Sequence, residues 1–296
     1  GLPGAPPRGA GGRPPGGPVR GRPAALVLAN DSAGQPLTVH SAIQNNGSDT
    51  VMLSKQGSGA VILTGTNTWS GGTLIEAGVL QIGDGGSSGS LGTGVCQNNG
   101  ELLVSRGAGS GDLLITASVI GPGKVAHAGA SDARLILRGG NSGYSGGTTA
   151  YGGILRAEDS SSDNQLFAFG TGPVTLHGGT LEARSNGSAD LGVIITGDGK
   201  TGNDLFLSAN TTLNVQRYGG TTRFGNTIQF NSLTLGGSTL TFAGNNRYRA
   251  AFAGTVTLTN HVTFNCSLDH TEAWLALNGR VTDNGQGFGL TKLGLG

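Results

Sequence analysis

From residue 31 onward, apolar and polar positions alternate in short runs. In "GVLQIG", Leu80 and Ile82 fall on one side of an extended chain and Gln81 on the other. "GTLEAR", "SLTLGGSTLTFAG" and "TVTLTNHVTF" read the same way. A period of two over a few residues is the mark of a half-buried strand. Gly, Asn, Ser and Asp bound these runs, the residues whose backbone freedom and short polar side chains favour turns. No longer window carries an i, i+3, i+4 apolar stripe with helix caps. The pattern predicts an all-β body.

The runs recur inside a larger unit. "LTGTNTWSGGTLIEAGVLQIG" at 63–83 returns at 137–157 as "LRGGNSGYSGGTTAYGGILRA", with Tyr144 in the place of Trp69. A leading turn with a lysine precedes each: "LSKQGSGAVILTG" holds Lys55, and "IGPGKVAHAGASDARLILRG" holds Lys124. A third, "GFGLTKLGLG" with Lys292, stands near residue 296. These lysines lie 69 and 168 residues apart, so the units differ by insertions or by a degenerate copy between them. A solenoid tolerates such looseness, because extra residues enlarge loops while the stacked strands persist. Each coil would then pair its strands with those of the coils above and below, about 4.8 Å away. Inward side chains would form columns of Leu, Ile, Val and Phe, and Gly and Asn would supply the corners. At ~20–25 residues per coil, 31–296 make about 11–13 coils and a rod on the order of 50–65 Å.

The repeated motif resembles the autotransporter-associated β-strand repeat of bacterial type V secreted passengers. That pattern runs from "LTKxGxG" through an apolar strand to "G-x-N-x-[YW]-S-G-G-T", then to a strand ending "G-x-L-x-[IL]-G". The first copy matches at Gly65, Asn67, Trp69, Ser70, Gly71, Gly72, Thr73, Gly78, Leu80, Ile82 and Gly83. The second matches at Gly139, Asn141, Tyr144, Ser145, Gly146, Gly147, Thr148, Gly153 and Leu155. There, one extra residue separates Asn141 from Tyr144, and "RAED" replaces the final strand end. The resemblance implies a right-handed parallel β-helix, extracellular or on the bacterial cell surface, exported through a C-terminal translocator barrel. The amphipathic strands of ~10 residues and aromatic girdles of such a barrel are not seen. The barrel is therefore expected beyond residue 296, unless the protein leaves the cell by another route. Trp69 and Tyr144 are expected to pack over the neighbouring coil's turn rather than to form an aromatic ledge for sugars.

Composition sets the boundaries. Gly occupies 58 of 296 positions and charged residues only 12%. Seven of the ten prolines lie in the first 23 residues, interleaved with Gly and Arg in no three-residue period, so a collagen helix is excluded. Residues 1–30 read as a disordered Pro/Gly/Arg-rich linker, and 31–296 as the β-helix, cut within a repeat at its C-terminal end. Arg8, Arg13, Arg20 and Arg22 give the linker +4; the remainder holds 14 basic against 17 acidic residues, or −3. With no basic stripe in the body, nucleic acid is not an expected partner. Cys96 and Cys266 lie many coils apart and are expected as free, buried thiols.

Little in the chain points to chemistry. "TGDGKT" at 196–201 lacks the phosphate-loop glycine at Ile194 and the following helix, and reads as a polar turn. "GNDLFL" at 202–207 is a single unit of a calcium-roll pattern that works only in tandem, so Asp204 reads as an Asx turn. His261, Cys266, Asp269 and His270 are close in sequence. Strand alternation puts His261 and Cys266 on opposite faces, so no metal site is expected. "GGSSG" at 85–89 fits a nucleophile elbow without its strand-turn-helix setting. Glu158, Asp159 and Asp163 are expected in a solvated Ser-rich loop rather than as carboxylates paired ~5–9 Å apart for glycoside chemistry. No catalytic, cofactor or metal residue is predicted.

Three functions follow. The first is a non-enzymatic β-helical passenger module, a stalk or an adhesive surface whose ligand is a carbohydrate or a protein. The second is a polysaccharide-degrading β-helix, which would need clustered Asp, Lys and Arg on one face; the charges appear scattered. The third is a filament subunit, since the uncapped ends of a stack expose strand edges for end-to-end self-association.

Overall fold

The computed structural model describes residues 24–138, 140, 142–159, 164–219, 223–266 and 273–294. Among them the only helical element is a 3₁₀ turn at Phe167–Phe169. Every pairing between strands is parallel, and strands adjacent in a sheet come from successive coils. The chain winds through a first sheet of six strands (Ala24–Ala29 to Gly143–Tyr144), a second of eleven (Leu37–Val39 to Val281–Thr282), a third of eight (Asp112–Ile115 to Leu290–Leu293) and a fourth of five (Gln165–Leu166 to Leu275–Leu277). This is a parallel β-solenoid, as the alternation and the repeat predicted.

The second sheet runs the length of the stack. One outward column passes in unbroken register through Thr38, Ile62, Gln81, Leu103, Ala126, Thr149, Thr175, Phe206, Thr234, Thr257 and Thr282. The column beside it points inward, through Leu63, Ile82, Val104, His127, Ala150, Leu176, Leu207, Leu235 and Leu258. These side chains belong to one continuous apolar core, except His127, which is buried among them. Burying a Leu or Val side chain stabilises by about 1.5–3 kcal/mol, and no single coil has a second layer to bury it against. Stacking supplies that layer.

Coil length varies, and the loops absorb the difference. The sheet partners Val61 and Leu80 bound a short coil, whereas Val174 and Leu205 bound a long one. The fourth sheet is added where the coils lengthen.

Two expectations need correction. The linker was expected to reach residue 30, but Ala24–Ala29 already pairs in register with Val51–Gln56. Residues 1–23 lie outside the described residues. The three leading lysines were also expected to be equivalent. Lys124 faces outward, forming an ion pair with Glu101 at 3.1 Å, and the residue equivalent to Lys55 in the second copy is His127, as described next.

Candidate functional site

Each repeat builds one corner from its own residues. In the first copy, the Trp69 indole is fully buried and donates its Nε1–H to Gly72 O at 3.1 Å and Thr73 Oγ1 at 3.2 Å. In the second, Tyr144 is also fully buried, with its hydroxyl 2.6 Å from Thr148 Oγ1. Thr148 gives its own proton to Phe169 O at 2.9 Å, so Tyr144 is the donor of the pair. An aromatic at one position and a threonine four later thus close the same turn twice. Burial removes both rings from any ligand, so neither forms a sugar-binding ledge.

The paired glycines sit where neighbouring coils approach closely. Gly72 and Gly147 adopt φ of +90° and +86°, the left-handed region that glycine enters without a steric cost. A Cβ there would lie 2.8 Å from Val95 O and 2.7 Å from Pro173 O respectively. Gly71 and Gly146 face the other coil, with a Cβ 2.6 Å from Val51 O or 2.5 Å from Pro122 O. Ser70 and Ser145 are exposed, and their N–H groups bond back to Asn45 Oδ1 and Gly121 O. Asn67 is buried and joins three coils: its Oδ1 accepts from Ile43 N–H, while its Nδ2 donates to Ser90 O. Asn141, its expected counterpart, lies outside the described residues.

A buried cationic or basic side chain marks the leading corner. Lys55 points inward between Leu28 and Ile75 and donates to Gly57 O and, at 2.9 Å, to Ala77 O. Burial lowers its pKa, and the charge of Asp31 opposes that shift. His127 sits the same way in the second copy, its Nε2 3.2 Å from Ala133 O, with burial lowering its pKa. The equivalence shows in the glycine each faces. A Cβ on Gly78 would meet Lys55 Nζ at 2.6 Å, and one on Gly153 would meet His127 Nε2 at 2.8 Å. Lys292 donates to Gly294 O at 2.8 Å, two residues on, as Lys55 does to Gly57.

The outer face of the third sheet gathers the charges that appeared scattered in sequence. Arg156 is bonded to Glu182 and lies 3.1 Å from Glu158. Glu158 is also held by Arg138 at 2.6 Å, with Arg184 at 3.9 Å. Arg134 links Asp112 at 2.7 Å to Glu182 at 3.5 Å. Arg156, Glu158 and Glu182 are only 4–7% exposed. The hydrogen bond to Glu158 raises the Arg138 pKa, and its guanidinium lies over the Tyr218 ring at 5.4 Å. Glu158 is therefore not in a solvated loop: it lies within the strand Ile154–Asp159 and is enclosed by arginines. Asp163 lies outside the described residues. The missed signal was spacing, since Arg134–Asp112, Arg156–Glu182 and Arg138–Glu158 stand 22, 26 and 20 residues apart, one coil each.

The other candidates resolve into turns and clamps. Asp198 accepts from the N–H groups of Lys200 and Thr201, and the first of these bonds leads in lowering its pKa. Asp204 does not close an Asx turn on its own segment; it accepts from Asn231 and Ser232 of the next coil. The Ser88 carbonyl, in the "GGSSG" run, accepts from Arg106. Cys96 and Cys266 are free and buried, and burial pushes the Cys96 thiol up to about 12. His261 accepts from Gly289 N–H, while Asp269 and His270 lie outside the described residues. Among the described residues no three His, Cys, Asp or Glu gather as a metal site, and no helix is long and apolar enough to cross a membrane.

The corner geometry coincides with a known family. The family model of the passenger-associated-transport repeat matches residues 53–82 and 132–157. Two stretches of the chain are thus similar to passenger-associated-transport repeats. The matches contain both buried aromatics, both double-glycine turns and Lys55. The adhesin BmaC autotransporter of Brucella suis biovar 1 (strain 1330) is 38% identical over 69 residues, covering 23% of this chain. The aligned part amounts to 2% of that adhesin's length. No solved structure matches the chain. Passenger repeats place the protein outside the cell, at or beyond the bacterial surface.

Proposed function

We propose that the chain is a length of non-enzymatic β-helical passenger, reaching the surface by a type V-like route and serving as a stalk or adhesive face. A translocator barrel belongs, on this reading, to sequence beyond this chain. The observation that carries the proposal is the unbroken second-sheet column from Thr38 to Thr282, reinforced by the two passenger repeats. Stability in such a stack accumulates coil by coil, so a chain emerging unfolded adds coils where no ATP is available. Protease shaving of intact cells expressing the full-length protein tests this. The chain is expected to be cleaved from outside, and full protection inside sealed cells contradicts it.

One observation favours a second reading, a polysaccharide-degrading β-helix: the charges do cluster on one face. Against it, Glu158 and Glu182 are both buried and tied up in ion pairs with arginines rather than facing an open cleft. The expected result in a screen of pectic and host polysaccharides is no turnover. Turnover abolished by Glu182→Gln would replace the stalk reading with the enzymatic one.

A further inference from the structure

The outer faces of the second and third sheets carry different chemistry. Over the strands Thr148–Gly152, Val174–Leu176, Leu205–Leu207, Leu233–Leu235 and Val256–Leu258, one outward column reads Thr149, Thr175, Phe206, Thr234 and Thr257. Beside it, at the strand ends, runs Tyr151, His177, Ser208, Gly236 and Thr259, each tied by its N–H to the preceding coil from His177 onward. Neither column contains Lys, Arg, Asp or Glu, although four arginines and three acids share the neighbouring face.

A groove forms where Gly236 interrupts the second column. It has a volume of about 220 Å³ and is lined by Thr175, Phe206, Ser208, Thr234 and Thr259 around that glycine. Phe206 is 40% exposed and presents its ring to the groove. His177 flanks the groove on the N-terminal side, with Nδ1 2.8 Å from Ser208 Oγ and its ring stacked on Tyr151 at 5.3 Å and 5°.

We propose that this groove binds a neutral glycan. A pyranose presents an apolar C–H face and a rim of hydroxyls. The groove offers a phenyl ring for the first, and for the second hydroxyls from neighbouring coils, about 4.8 Å apart along the stack. A sulfated or sialylated ligand would find no Lys or Arg in either column. A hydrocarbon would bury the Thr175 and Thr234 hydroxyls without partners, at a cost of about 1–3 kcal/mol for each group so stranded, whereas Ser208 Oγ already pairs with His177 and Thr259 Oγ1 already donates to Leu235 O. The volume lies below the ~300 Å³ at which pockets enclose a drug-sized molecule, so each site makes a shallow contact with one part of the glycan. Many copies on one cell would turn weak contacts into adhesion. The inference rests on the displayed-passenger reading and names its ligand class.

The test uses the full chain on immobilised neutral, sulfated and sialylated oligosaccharides, with Phe206→Ala, Gly236→Val and Arg138→Gln compared with wild type. Binding to neutral oligosaccharides is expected, reduced at least tenfold by Phe206→Ala or Gly236→Val and unchanged by Arg138→Gln. Circular dichroism and thermal melts should leave Phe206→Ala folded, since its ring is already partly in water. Absence of neutral-glycan binding by wild type overturns the proposal. So does binding confined to sulfated or sialylated glycans, or affinity that Phe206→Ala leaves intact. If shaving still cleaves the chain from outside, such a result removes the glycan site alone; protection from shaving removes the passenger reading itself.

Discussion

The first repeat copy sends Ala60–Leu63 and Val79–Ile82 to the second sheet, with Thr73–Ile75 on the first. In the second copy, the corresponding Arg134–Leu137 and Ile154–Asp159 lie on the third sheet, and Thr148–Gly152 on the second. The same motif has thus turned by one side of the solenoid. The leading residues follow suit: Lys55 is on the first sheet, His127 on the second and Lys292 on the third. A repeat that can shift sides specifies a corner through contacts among its own residues and the coils directly above and below. It does not specify a place in the cross-section. The sides then differ in what the remaining positions carry. Gln81 of the first copy becomes Arg156 in the second, and the charged ladder grows from there.

The comparison breaks if the two aromatics are unequal. Trp69→Ala and Tyr144→Ala should each cost about 3–5 kcal/mol in denaturant unfolding, the range for emptying a large aromatic site. Hydrogen exchange should show the loss confined to the coils on either side. A large loss for one and none for the other would end the equivalence of the corners.

The next effect separates the copies. Glu158→Ala leaves Arg156 buried without one of its two carboxylates and should cost about 3 kcal/mol. This is the low end of the usual range, because Arg138 and Arg184 remain partly exposed to water at 34% and 25%. Gln81→Ala in the first copy should change stability by under about 0.5 kcal/mol, as a half-buried surface change does. Between these two falls Tyr144→Phe, which removes one hydroxyl and should cost about 1 kcal/mol.

Acid separates the leading corners. Burial depresses the His127 pKa, so the unfolded chain takes up a proton before the folded one does. The contribution of this site is complete above the unfolded value near 6.5 and is lost as pH falls toward the folded value. Lys55, also depressed, has its corresponding window on the alkaline side. Melting from pH 7.5 to 5 should therefore show a loss that His127→Gln removes and Lys55→Met does not. Identical pH profiles for wild type and His127→Gln would count against a buried neutral histidine.

The parallel stack was legible in sequence because alternation and turn residues act locally, and the repeat marks where they recur. Trp69, Gly72 and Thr73 could be placed at a corner for the same reason. What escaped was relational. Lys124 matched the motif by residue type, but His127 has the inward register, two residues before a glycine. Glu158 looked solvated beside its serines because its partners Arg138, Arg156 and Arg184 are brought to it by strand pairing. Pairing one coil away is visible in sequence only once coil length is known, and here that length varies.

The central claim is that successive windings lie directly on one another from one end of the second sheet to the other. Spin labels on Thr38→Cys and Thr282→Cys, with Cys96 and Cys266 replaced by alanine, measure this by pulsed electron resonance. Ten inter-strand steps predict a single distance near 48 Å. A distance below about 30 Å, as two packed antiparallel sheets would give, would contradict the stack and the account built on it.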